Sequence, residues 1–264
     1  MARDIKGKFP NIHCVVLTPF SHGITKRMQN EDLSIFDYVF CWLGNTNLIL
    51  SIIKLIEDKM NLEHDIQEAG VQMILLVEDS IRFYSSILPN LYNYILEQSK
   101  NFSKEALNRH AATMRMRGRP KVVLARTYEE AKKLYDKYSN NTLGVISDAR
   151  FPLKSAAKAF GNEVDEDVKP EYGTDTFGRE KCPDAGLQLF RYIRKHDSFV
   201  PLILESSESD NRAKAEAEGF RFVDKNSKKM SVDLRRLMEE HMGFGDFIFL
   251  SLIHISEPTR LDVI

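Results

Sequence analysis

Cysteine is scarce: the 264 residues hold three, Cys14, Cys41 and Cys182, far apart and odd in number. They form no metal-binding spacing, so neither a disulfide framework nor a cysteine-ligated metal is expected. Long apolar runs are missing as well. None reaches the roughly 20 residues that cross a bilayer, and no signal-peptide pattern opens the chain. These absences point to a protein of the reducing cytoplasm with no membrane partner. Nor is there an excess of charge of one sign, since 37 Lys and Arg face 38 Asp and Glu. That balance argues against a general nucleic-acid binder, which needs a basic face. The seven histidines are scattered and include no H-x-x-x-H pair.

What is present is ordinary globular material, 43% hydrophobic and 28% charged, in a chain long enough for roughly one and a half to two domains. Short apolar runs alternate with amphipathic stretches. His13–Leu17 and "FDYVFCW" read as strands, "ITKRMQNEDLS" between them as a helix, and "NTNLILSIIKLIEDKMNLEHDI" as a long helix. From Val71 the alternation becomes regular. Strands are expected at Val71–Val77, Val122–Ala125, Leu143–Ser147, Leu202–Leu204 and Phe220–Val223. Helices are expected from Ile81 to about Lys100 with a kink at Pro89, over Lys104–Met116, and at Tyr128–Tyr138, Asp184–His196, Asp210–Glu218 and Val232–His241. Thr127, with Glu130 three residues on, has the pattern of a capping box.

Such an order implies a parallel sheet covered on both faces, a doubly wound α/β fold with five strands. In that architecture ligands bind at the carboxyl ends of the strands. The residues there are Glu78 and Asp79, Asp148, Ser206 and Lys225. Taken singly, each has a bland reading. The acidic pair could close a strand that runs out into solvent, Lys225 could be a surface lysine, and Ser206 could belong to a solvated polar turn. Together they place three carboxylates, a hydroxyl and an ammonium on one rim. Clustered carboxylates repel unless a cation joins them, and an all-oxygen set suits Mg²⁺. A carboxylate in such a place can accept a phosphoryl group, a reaction that needs mainly alignment and charge neutralisation.

The motifs resemble the receiver domains of two-component response regulators. "LLVEDS" is similar to the first strand and acidic pair. "GVISDARFP" resembles the phosphoacceptor segment, with Asp148 as acceptor and Pro152 the proline four residues on. "DAGLQLFRYIR" carries Gly186 at the start of the third helix. "VPLILESS" puts Ser206 at the switch hydroxyl. "FRFVDKNS" puts Phe222 at the switch aromatic and Lys225 at the phosphate-pairing lysine. The resemblance implies a flavodoxin-like fold and a Mg²⁺ held by Glu78, Asp79, Asp148 and the backbone carbonyl of Arg150. It also implies a histidine kinase or phosphotransfer protein as donor, and no enzyme activity in this stretch.

The boundaries expected are a receiver at 68–243 with insertions at about 102–121 and 153–183. The first insertion holds Lys104, Arg109, Arg115, Arg117, Arg119 and Lys121. It reads as a solvated helix, a contact surface or, less readily, a basic patch. The second reads as a mobile, charged loop over the acidic pocket, able to gate phosphorylation or restrict the kinase. Residues 1–67 resemble the second half of a degenerate receiver. Thr18 takes the switch place in "CVVLTPF", and Cys41 or Trp42 stands in "FDYVFCWLGN" where lysine belongs. Such a half-sheet should expose apolar edges. Residues 244–249 read as the start of a linker. "LSLIHISEPTR" resembles the translation of a transposase sequencing adapter, so 250–264 are set aside as an artefact tail. The expectation is a fragment at both ends. The tandem arrangement, the insertions and "GFGDFIF" further resemble the N-terminal region of phosphoenolpyruvate synthase and pyruvate phosphate dikinase type proteins. A downstream domain of the same chain, or a homodimer, would then receive the signal. The rival expectation is a pseudo-receiver that keeps the fold only as an interaction or dimerisation module. A phosphoaspartate hydrolase is weaker, because the D-x-D spacing is lacking.

Overall fold

The computed structural model describes residues 2–19, 35–104, 108, 109, 113, 118–154, 174, 175 and 179–242. The chain opens with helix α1 (Ala2–Lys8), parallel strands β1 (Val15–Pro19) and β2 (Tyr38–Trp42), and the long helix α2 (Asn47–Ala69). The regular alternation follows as β3 (Met73–Val77), α3 (Ile81–Lys104), β4 (Lys121–Ala125), α4 (Tyr128–Tyr138) and β5 (Thr142–Asp148). A small antiparallel pair, β6 (Phe151–Pro152) and β7 (Lys181–Cys182), interrupts it. Helix α5 (Ala185–His196), β8 (Leu202–Ser206), α6 (Asp210–Ala217), β9 (Arg221–Asp224) and α7 (Met230–His241) complete it. The helix expected over 24–34 lies outside the described residues, as does nearly all of the one expected over Lys104–Met116.

Five strands form one parallel sheet in the order β4-β3-β5-β8-β9. This is the flavodoxin-like doubly wound order. Its cause is legible in β3, where all five side chains of "MILLV" are buried. Successive residues of a strand face opposite sides. Ile74 and Leu76 therefore join a core with α2, α3 and α7, whereas Met73, Leu75 and Val77 join one with α4, α5 and α6. At the entry to α4, Thr127 Oγ1 accepts from the Glu130 N–H at 3.2 Å. The Glu130 carboxylate accepts from the N–H of Arg126, one residue beyond the cap, at 2.8 Å.

The first segment shares a core with the sheet. Leu48, Ile52 and Leu55 of α2 and Phe40 of β2 pack into the cluster that holds Ile74 and Leu76. The Tyr84 hydroxyl of α3 donates to the Val39 carbonyl, and the Cys41 N–H donates to Ser85 Oγ at 2.9 Å. Exposed apolar side chains of this segment include Leu17 on β1 and Ile49, Ile53 and Met60 on α2. Two residues of the expected basic insertion behave differently from a solvated patch. Arg119 and Lys121 are buried, because both turn inward to Asp58 of α2.

Candidate functional site

Parallel strands deliver their C-terminal residues to one rim, and each rim residue is held there by backbone. The Glu78 N–H still donates to the Ala125 carbonyl at 3.0 Å, so the acidic pair continues the line of β3 into the interior. Glu78 and Asp79 are both wholly buried. The Ala149 N–H donates to the Glu205 carbonyl at 3.0 Å and fixes the turn after Asp148. Helix α5 presses on that turn: a Cβ on Gly186 would fall onto the Asp148 carbonyl oxygen. Only glycine allows this approach. On the far side, the Lys225 N–H donates to the Ser206 carbonyl at 2.9 Å.

This scaffold brings Glu78, Asp79, Asp148 and Lys225 together. One carboxylate oxygen from each acid lies within 4.8 Å of the others. The Lys225 ammonium pairs with Glu78 Oε2 and, at 2.9 Å, with Asp148 Oδ1, and lies 4.4 Å from the centre of the Phe83 ring. Asp148 Oδ1 also accepts from the Ala149 N–H at 2.8 Å. Both of these contacts of Asp148 fall on Oδ1. Its side chain is 13% exposed, against 0% for Glu78 and Asp79, so it is the acid an outside molecule can reach.

The other expected residues stand on neighbouring loops and make local contacts. Ser206 Oγ accepts from the Glu208 N–H at 3.1 Å and from the Asn211 amide at 2.9 Å. Phe222 is half-buried, with the Arg212 guanidinium 4.7 Å above its ring. The Arg150 side chain pairs with Glu208.

Two members of the cluster escaped the sequence reading. Glu205, the residue before Ser206, is wholly buried, and neither carboxylate oxygen has a hydrogen-bond partner among the described residues. A glutamate within the apolar run "LILES" is the signal that could have found it. Lys181 of β7 forms an ion pair with Asp79 Oδ2 at 2.6 Å. Nothing local marks it, because only the antiparallel pairing with β6 brings it to the rim.

Among the described residues, four carboxylates thus face two ammonium groups, and the burial of Glu78, Asp79 and Glu205 shows in their acidity. Burial pushes Glu78 up to about 8 despite Lys225, with Asp148 and Asp79 adding to the rise. Burial likewise raises Asp79 to about 6, against the pull of Lys181, and Glu205 to about 7, against that of Lys225. Burial alone would lower Lys225; Glu78, Asp148 and Glu205 outweigh it and hold the ammonium well above its usual range. A hard divalent cation fits this donor set. Three carboxylates converge, and Asp79 Oδ1 is buried without a hydrogen-bond partner among the described residues.

No known family profile matches the chain, and no curated protein matches it. Among solved structures, it is similar to a response regulator receiver domain protein from Clostridium thermocellum. The match has 16% identity and a TM-score of 0.38, and covers 67% of this chain and 99% of that one. A superposition that loose adds nothing to the fold argument, which rests on strand order and register. None of these comparisons touches the narrower likeness to phosphoenolpyruvate synthase type proteins.

Proposed function

We propose that residues 68–243 form a receiver that accepts a phosphoryl group on Asp148. The observation that carries this reading is the Lys225 ammonium shared between Glu78 and Asp148, with Asp79 in ligand reach. A cation so placed neutralises the charge that gathers on a transferring phosphoryl group. Asp148 Oδ2 attacks phosphorus, and a P–N bond to a donor phosphohistidine breaks, its nitrogen keeping the electron pair. The product is an acyl phosphate. Glu78, Asp79, Asp148 and the Arg150 carbonyl would hold Mg²⁺, which supplies charge neutralisation and alignment. Lys225 pairs with the new phosphate. Ser206 then trades its loop contacts for a phosphate oxygen, and the loop carries that movement to Phe222 and the surface around it. The partners of this reading are a histidine kinase or phosphotransfer protein and an output domain, with residues 1–67 as a structural receiver half.

The test is incubation of the chain with Mg²⁺ and acetyl phosphate, followed by intact mass. One phosphoryl adduct should form, and Asp148→Asn should lose it. An adduct that persists in Asp148→Asn would sink the assignment. One observation favours the pseudo-receiver instead: Lys181 already sits on Asp79, where a metal would bind. In that case no adduct forms and the fold serves only to bind a partner or a second copy.

A further inference from the structure

We propose that Lys181 is a tethered counter-ion of Asp79 that a divalent cation must displace, so the base of the 153–183 insertion sets how tightly the pocket holds metal. This rests on the metal site of the receiver reading above.

The two lysines of the pocket differ in kind. Lys225 comes from the sheet, bridges two carboxylates and has a side chain only 2% exposed. Lys181 comes from outside the sheet, pairs with Asp79 alone among the described residues and keeps 19% of its side chain in solvent. It can therefore swing outward without stranding a charge in the interior. Its position is nonetheless built. β7 pairs with β6 through Phe151 opposite Cys182 and Pro152 opposite Lys181, and β6 begins three residues past Asp148. Behind β7, Thr174 bridges to Glu180. The Arg179 Nε and N–H donate to Asp175 at 2.7 and 2.8 Å, and both residues are buried. The segment leading into Lys181 is thus clamped on both sides, and the ammonium arrives at one oxygen of an acid that burial has left short of partners.

A metal ion on the unpartnered Asp79 Oδ1 would sit on the same carboxylate as the Lys181 ammonium on Oδ2. Inner-sphere Mg²⁺ needs the carboxylate at about 2.1 Å in strict octahedral geometry. Two cations at that spacing repel strongly in a buried site. Repulsion between the two cations therefore detaches Lys181 from Asp79, and the same event loosens β7 where it pairs with β6. Lys181 acts as a threshold: cation concentration has to exceed what this internal counter-ion holds off.

The experiment titrates the full chain and its Lys181→Met variant with Mg²⁺ alone, by calorimetry. Lys181→Met should bind Mg²⁺ more tightly by about tenfold or more, because the competitor is gone. Lys181→Arg, which keeps the charge, should stay near the parent. Equal or weaker binding by Lys181→Met overturns the inference. If Asp148 still takes up the phosphoryl group in that case, the receiver reading survives. If neither protein binds Mg²⁺ nor forms the adduct, both fall together. A second measurement stands independently of the variant's folding. In the parent chain, saturating Mg²⁺ should speed amide exchange at Lys181 and Cys182; slower exchange there overturns the inference.

Discussion

Asp58 at the N-terminal edge of the sheet and Glu78 and Asp79 at the C-terminal edge are all wholly buried carboxylates, yet their surroundings differ completely. Asp58 accepts from Arg119 through two guanidinium nitrogens at 2.6 and 3.1 Å, from the Tyr92 hydroxyl at 2.9 Å and from the Val122 N–H at 3.0 Å. Lys121 stands 3.8 Å away and pairs with Asp65 at 2.6 Å. Both oxygens of this acid accept hydrogen bonds, and the network fastens α2 to the start of β4. At the other edge four carboxylates share two ammonium groups, and Glu205 has no hydrogen-bond partner among the described residues. A buried charge that only holds a fold together is fully paired. The acids at the C-terminal edge are grouped closely enough to hold a metal ion, and strongly shifted acidity of this kind is typical of functional pockets.

Three expectations would break or sharpen that contrast. The largest concerns Asp58→Ala. It leaves the buried Arg119 without its closest carboxylate, with only the Pro120 carbonyl and the more distant Glu57 near it among the described residues, and should destabilise the chain by about 3–5 kcal/mol in urea unfolding. A loss below about 1 kcal/mol would mean that the two clusters are not built differently. Next comes the pH dependence of the metal-free protein. A carboxyl whose folded pKa lies above its unfolded value binds its proton more tightly when folded. That stability is whole below the unfolded pKa and is lost as pH rises through the folded one. For Glu205 the window runs from 4.5 to about 7, for Asp79 from 3.8 to about 6, and for Glu78 from 4.5 to about 8. The metal-free chain should therefore weaken as pH climbs from about 4 to about 8. Glu205→Gln should flatten the slope, removing on the order of 2 kcal/mol of it. A slope unchanged in Glu205→Gln would show that this acid is not strained. The smallest effect is expected for Lys121→Met, about 1 kcal/mol or less, because Asp58 keeps its other four donors and Asp65 is partly exposed. A loss as large as that of Asp58→Ala would move the weight of the network to Lys121.

Much of the site was legible because strand ends are legible. "MILLVEDS" places its acids one step beyond a fully buried run, and "GVISDARFP" does the same for Asp148. The start of the helix marked by the Thr127 cap came out where the sequence placed it, at Tyr128. Burial was far less legible. Arg119 and Lys121 looked like members of a basic surface, since charge runs are usually solvated. Their partner, Asp58, lies some sixty positions earlier on a helix whose docking no local pattern encodes. Ser206 presented a further difficulty. Its place on the rim followed from β8, but its hydrogen bonds to Glu208 and Asn211 depend on how the following loop folds back.

By itself the sequence determined the alternation of doubly buried strands with amphipathic helices. From that followed a parallel sheet and the gathering of Glu78, Asp79, Asp148 and Lys225 on its C-terminal rim. This works because the period of burial and the direction of parallel strands are local rules that leave little choice. Only the tertiary structure decided that Glu205 joins them with no hydrogen bond to its carboxylate among the described residues, that Lys181 reaches Asp79 from the far end of an insertion, and that α2 is fastened to the start of β4 through Asp58. Those contacts depend on segment docking and hairpin pairing between residues remote in the chain, where packing energy and not any nearby pattern selects the partner.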